Sequence, residues 1–195
     1  MTVSNLQHST FQSVQRTHSK LELIARRFLI PRSFVTLYAL ARWSATVSTR
    51  AEVELSPNLH LGRGTTVSSF TKIKATDGVL ATGEKCGFGP GCFVATGEGG
   101  IEVGDHVIFG PNCSVIAVNY RYGQLEVPLE EQGLTSQGIR IGNNVWIGAN
   151  SVILDGSEIG DNSIVVAGSL VNRRFPADSI IQGNPAKVIL SRARH

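Results

Sequence analysis

Aliphatic residues return at every sixth position along most of this chain, and that spacing limits its fold more than any other feature. Leu55, Leu61, Val67, Ile73 and Val79 form one run. Thr82, Phe88 and Val94 form a second, and Val103, Phe109 and Val115 a third. The longest is Ile141, Ile147, Ile153, Ile159, Val165 and Val171. Glycine follows directly at Gly62, Gly89, Gly104, Gly110, Gly142, Gly148 and Gly160. Four places after the aliphatic residue stands something small: Thr65, Thr71, Cys86, Cys92, Val107, Cys113, Val145, Ser151, Ser157, Ser163 and Ser169.

A period of six belongs neither to a helix nor to the alternation of a half-buried strand. It fits an all-β solenoid with three flat faces, each a short strand followed by a turn. Three hexads complete a circuit, and equivalent strands stack as parallel neighbours about 4.8 Å apart. The aliphatic residue points into a triangular core, joined at the corner by the small residue four places on. Glycine beside the aliphatic position is expected to supply the tight turn and its positive φ. The three cysteines, Cys86, Cys92 and Cys113, all fall on the small inward position and read as buried structural thiols. Their odd number and the lack of CxxC spacing argue against a disulfide framework or a metal site and point to a reducing compartment.

The chain of 195 residues is expected to divide into 1–50, a basic helical cap, 51–190, the solenoid, and a tail at 191–195. Residues 1–50 hold seven Lys/Arg against Glu22 alone, while the remainder holds eleven against fourteen Asp/Glu. The overall charge of +3 gives no reason to expect a nucleic-acid partner. No secretory signal opens the chain, and Phe28 to Ala41 is too short to span a bilayer. A cytoplasmic location follows, with the inner face of the membrane as a variant. Val14, Leu21, Ile24 and Phe28 stand at helical spacing among Arg16, Lys20, Arg26 and Arg27. After Pro31 comes a second stretch with Phe34, Leu37, Tyr38 and Ala41 on one side. Two readings of this region stand: a cap over the open end of the solenoid, or a basic amphipathic segment resting on an anionic membrane surface.

Three interruptions break the hexads: Gly78 to Ala81, the corner "TGEGGIE" at 96–102, and the long stretch from Tyr120 to Arg140. Structureless stretches of that last length within a domain are usually functional.

The run "IRIGNNVWIGANSVILDGSEIGDNSIVVAGSLV" followed by "GNPAKVI" resembles the left-handed parallel β-helix acyltransferases of the hexapeptide-repeat superfamily. Within them it is similar to the galactoside, maltose, xenobiotic and polysaccharide O-acetyltransferases, over about residues 55–190. The resemblance implies a homotrimer that moves acetyl from acetyl-CoA to a saccharide hydroxyl, directly, at a site between subunits beside the long loop. It also implies a histidine base at the start of that loop, where relatives read like "ANHNY". This chain reads Val118-Asn119-Tyr120-Arg121-Tyr122, then Pro128, Glu131-Gln132-Gly133 and Thr135-Ser136. The surrounding motif matches, but Tyr120 stands in place of the histidine.

A phenol with pKa near 10 is almost wholly protonated at neutral pH, so a phenolate base needs roughly 4 kcal/mol of stabilisation. Three readings therefore stand. Tyr120 beside Asn119, or a loop carboxylate such as Glu131 or Glu130, replaces the base. The base lies elsewhere, although His60 and His106 are mid-hexad and expected to face outward. Or the chain is a catalytically silent β-helix that binds without transferring. The resemblance also places the pantetheine arm of the coenzyme along Trp146 to Ala149 and Ala167 to Ser169. It places the adenine and phosphate end at Asn172, Arg173 and Lys187, with Arg174 adding charge nearby. The acceptor pocket is expected to involve Asn119 to Tyr122 and the "ATGEGG" corner.

Overall fold

The structure, a computed structural model, describes residues 31–192. The expected helical stretch carrying Val14, Leu21, Ile24 and Phe28 lies outside these residues, as does the tail from residue 193. A helix, Arg32–Trp43, comes first. The chain then winds as a left-handed parallel β-helix. Its first face stacks Thr46–Val47, Thr66–Val67, Gly87–Phe88, Ile108–Phe109, Trp146–Ile147, Ile164–Val165 and Ser179–Gly183. The second stacks Glu52–Val53, Lys72–Lys74, Phe93–Ala95, Ser114–Ile116, Val152–Leu154 and Leu170–Val171. The third stacks Leu59–His60, Leu80–Thr82, Ile101–Val103, Ile139–Ile141, Glu158–Ile159 and Arg174–Phe175. A last strand, Ala186–Ser191, turns back antiparallel onto Ser179–Gly183 and ends the first face.

The sixfold pattern becomes three inner columns. Phe109 lies between Phe88 and Ile147 in register, and Val115 between Val94 and Ile153. All are buried, and the Phe88 and Phe109 rings stack at 4.7 Å. Each such side chain contributes about 1.5–3 kcal/mol on burial, so one column of seven strands carries much of the fold's stability.

The small position is also inward at every predicted site. Its residues share a task besides being small: they donate to a backbone carbonyl of a neighbouring coil. Thr71 Oγ1 donates to the Gly89 carbonyl at 2.8 Å, Cys86 Sγ to Gly104 at 3.1 Å, and Cys92 Sγ to Gly110 at 3.2 Å. Ser157 Oγ donates to Val171 at 3.0 Å. Thr, Ser and Cys are interchangeable there because each is a compact donor. Burial pushes the Cys86 thiol up, and the Cys113 thiol together with burial does the same to Cys92. Both stay protonated at neutral pH, and a protonated, buried thiol is a poor nucleophile.

The glycines beside the aliphatic positions have a different cause from the one expected. None of Gly62, Gly89, Gly104, Gly110, Gly142, Gly148 and Gly160 has a positive φ. They are required because coils touch: a Cβ on Gly148 would fall 2.4 Å from the Ala167 nitrogen and 2.8 Å from the Val165 carbonyl oxygen. The left-handed residue is two places further along, as at Asn112, Asn144, Asn150, Asn162 and Gly168. Asn and Gly tolerate that conformation best.

Two early assignments shift. Val79 is 37% exposed and Leu80 takes the inner place, while Leu55 is only partly buried between inward Val53 and Leu59. Both errors fall where a corner takes in extra residues and resets the phase. All the interruptions lie on one edge of the prism, between the second and third faces. Gly78, Gly97 and the long loop stack there in consecutive coils, close enough that a Cβ on Gly78 would collide with the Gly97 carbonyl. The irregularity is a single widened edge.

Candidate active site

The long loop grows from the widest point of that edge, after Ala117, and has its own structure. Asn119–Tyr120 pairs antiparallel with Leu134–Thr135, so the loop is a two-stranded ribbon at its root. Pro128 leads into a single 3₁₀ turn, Leu129–Glu131. Gln132 then closes the tip: its amide nitrogen donates to the carbonyls of Gln124 and Val127, both at 2.8 Å, and its oxygen accepts from the Gln124 amide at 3.0 Å. Gly133 follows with φ +79, a conformation that suits glycine. The "EQG" motif is therefore a closing device for the loop.

The root is clamped from both sides. Below it, Ser136 Oγ donates to the Ala117 carbonyl at 2.5 Å and accepts the Gly99 amide at 3.0 Å, which stitches the ribbon to the "ATGEGG" corner. Above it, the carboxylate of Asp155 accepts the amides of Gln137 and Gly138 at 2.8 Å and the side-chain nitrogen of Asn119 at 3.3 Å. Asp155 is 9% exposed, and one buried charged group thus holds both strands of the ribbon. Hydrogen bonds to an ionised group of this kind are the strong ones.

Asn119 is fixed by Asp155, whereas Tyr120 is 57% exposed and its hydroxyl makes no hydrogen bond among the described residues. Arg121 turns to the loop's own backbone, its Nε donating to the Leu134 carbonyl at 3.1 Å. Glu131 sits exposed in the 3₁₀ turn, and no hydrogen bond or ion pair joins it to Tyr120. His60 and His106 are both exposed.

The predicted coenzyme residues lie elsewhere on the coil. Ala149 and Ala167 stack on the edge between the first and second faces, where the Gly168 amide donates to the Ala149 carbonyl at 2.9 Å. Trp146 is 53% exposed beside them. The Ser169 side chain points inward, donating to the Val166 carbonyl at 2.6 Å and accepting the Gly183 amide at 3.2 Å. It can offer a ligand only backbone groups. Arg173 lies 5.3 Å over the Phe175 ring and donates to the Ala186 carbonyl at 2.9 Å. That bond draws Asn172 and Arg173 toward exposed Lys187, the residue after Ala186. Arg174 instead pairs with Glu158 at 3.3 Å on the third face.

Within one chain, then, the loop and the two alanines occupy opposite edges of the second face. A groove along the third face, lined by Gly83, Gly104, Arg140, Gly142 and Gly160, contains none of the predicted site residues. It follows the ion pairs Arg140–Glu102 and Arg174–Glu158, both at 3.3 Å.

Residues 138–173 match the bacterial transferase hexapeptide family, six repeats of it. The chain is a hexapeptide-repeat protein. This β-helix is 28% identical over 166 residues to a probable acetyltransferase of Mycobacterium tuberculosis, covering 85% of this chain and 55% of that one. It is 38% identical over 90 residues to the galactoside O-acetyltransferase of Escherichia coli, 46% of this chain and 43% of the relative. The chain thus spans about half the length of the curated relatives it matches. Among solved structures, AntD, an N-acyltransferase from Bacillus cereus in complex with dTDP and coenzyme A, superposes with a TM-score of 0.70. That likeness covers 81% of this chain and 89% of AntD at 20% identity, and it shows the shared fold.

The residues that sequence reasoning missed are those that hold the loop. Gln132 and Ser136 stand inside the quoted motif, but nothing in a motif says which of its members are internal struts. Asp155 occupies the corner place that Ala149 fills in the preceding hexad, and an acidic residue there was the one available signal.

Proposed function

We propose that this chain is an acetyl-CoA-dependent O-acetyltransferase acting on a saccharide of polysaccharide biosynthesis. The observation that carries the reading is the placement of the loop motif. The stretch that resembles the acetyltransferases' active-site loop is a built ribbon, buttressed by Ser136 and Asp155, on the one edge where the repeat opens. The match to a galactoside O-acetyltransferase supports a sugar hydroxyl as acceptor.

In this reading the chain acts as a homotrimer, because the loop and the Ala149–Ala167 edge stand apart on one prism and meet only across neighbouring subunits. The coenzyme's pantetheine arm lies along Ala149 and Ala167, bonded to the backbone there and at Ser169. Its phosphates meet Asn172, Arg173 and Lys187. The acceptor hydroxyl sits over Asn119 and Tyr120, loses its proton to the base and attacks the thioester carbonyl. Collapse of the tetrahedral adduct expels the CoA thiolate, which takes up a proton.

Thiol release from acetyl-CoA across a panel of saccharides tests the proposal. With Tyr120 as base, Tyr120→Phe removes turnover while Glu131→Gln retains it, and the reverse result assigns the loop carboxylate. A second reading, a silent β-helix that binds CoA without transferring, is favoured by the unpartnered Tyr120 hydroxyl. Saturable CoA binding with no thiol release from any acceptor would establish it instead.

A further inference from the structure

The helix Arg32–Trp43 buries one side and leaves its larger apolar side uncovered by any described residue. Val35 and Ala39 pack against the first coil, and Thr36 Oγ1 donates to the Val47 carbonyl at 2.9 Å. This small-residue side does the capping. The stripe read from the sequence, Phe34, Leu37, Tyr38 and Ala41, faces away. Phe34 is 52% exposed, Leu37 65%, and Leu40 beside them 55%. Phe34 stacks on Tyr38 at 6.2 Å, and Tyr38 meets Trp43 edge-on at 5.3 Å, so an aromatic row runs along the helix. Arg32 and Arg42 stand exposed at its two ends, and the helix has no acidic residue.

We infer that this face docks on an anionic lipid surface. Charge decides between occupants. The chain's own first thirty residues carry Arg16, Lys20, Arg26 and Arg27 against Glu22, so laying them on this helix would set cation against cation. A second copy would bring the same arginines together. A nucleic acid offers the right charge but nothing for Phe34, Leu37 and Leu40 to enter. An anionic membrane surface satisfies both halves: the apolar stripe enters the headgroup boundary and the arginines meet lipid phosphates. Aromatic side chains favour the same depth. Among the described residues no helix is long and apolar enough to cross a membrane, so this contact is peripheral. The long loop emerges three coils above the first, roughly 14 Å farther along the axis. Docking at the helix end thus leaves it open to an acceptor held near the membrane.

The test is co-sedimentation of the full chain with phosphatidylcholine vesicles, with and without phosphatidylglycerol. Binding is expected only with the anionic lipid. Arg32→Gln with Arg42→Gln should weaken it roughly thirty-fold, and Leu37→Asp by at least about tenfold. Both variants should keep the wild-type melting temperature and thiol release with soluble saccharides, since none of these side chains touches the core or the loop. Equal binding to neutral vesicles, or unchanged binding by Leu37→Asp, overturns the inference. So does an absence of vesicle binding with Leu37→Asp altering the sedimentation coefficient, which would assign the face to a second copy.

Discussion

The first and third faces of the prism share an interior and have opposite exteriors. Inside, both present aliphatic and aromatic columns, Phe88–Phe109–Ile147 on one and Ile101–Ile139 on the other. Outside, the first face carries Ile108 and Trp146 as direct neighbours, each more than half exposed. The third carries Glu102, Arg140, Glu158 and Arg174 in alternating sign. Inner residues are constrained by the coil and repeat. Outer residues are free of it, and their differences mark which face meets another surface and which meets water.

Removing an inner residue gives the largest expected effect. Phe109→Ala should cost about 3–5 kcal/mol, read as a shifted denaturation midpoint, because the stacked ring has no replacement within the column. A loss below about 1 kcal/mol would mean that the column is not tightly packed.

Next come the outer residues of the first face. Trp146→Glu should convert the proposed trimer to monomers in sedimentation velocity and abolish acetyl transfer, leaving the monomer folded. If the variant stays trimeric, the subunit contact lies elsewhere.

Asp155→Asn tests the widened edge. The amides of Gln137 and Gly138 lose a charged acceptor, and destabilisation of about 1.5–3 kcal/mol is expected. Faster hydrogen exchange should appear at the loop root before anywhere else, and uniform acceleration would rule out a local clamp.

Cys86→Ser should shift stability at pH 7 by less than about 1 kcal/mol, since a hydroxyl can donate to the same Gly104 carbonyl. Above about pH 8.5 the thiol ionises in the unfolded chain while the folded chain keeps its proton. The unfolded state then binds fewer protons, so native stability falls as pH rises. The serine variant should fall less steeply, and equal slopes would refute the burial effect.

The smallest change belongs to the third face. Arg140→Ala should alter stability by no more than about 0.5 kcal/mol, because its pair with Glu102 is largely exposed. The association state should not change, and a fall in sedimentation coefficient would make this face the contact.

How much was legible followed from how local each constraint was. The hexads placed Ile141 through Val171 correctly because a repeated inner column leaves its period in the residues themselves. Val79 and Leu55 were misplaced because a widened corner shifts the phase by an amount that no local pattern records. The loop motif located the candidate site, but the clamp was invisible: Asp155 and Asn119 are far apart in sequence and meet only when one coil lies over another. The helix shows the same limit from the other direction. Its strongest apolar stripe was evident, yet which side would face the coil depended on the narrow space that admits Val35 and Ala39.

By itself, the sequence determined the three-sided coil, its inner columns and the point where the repeat opens, because each is a matter of period and side-chain size along the chain. Only the tertiary structure decided why glycine follows the aliphatic residue, what holds the loop, and that the predicted coenzyme residues stand on a different edge from it. Those depend on distances between successive coils, which pack within van der Waals contact, and such distances are set by stacking.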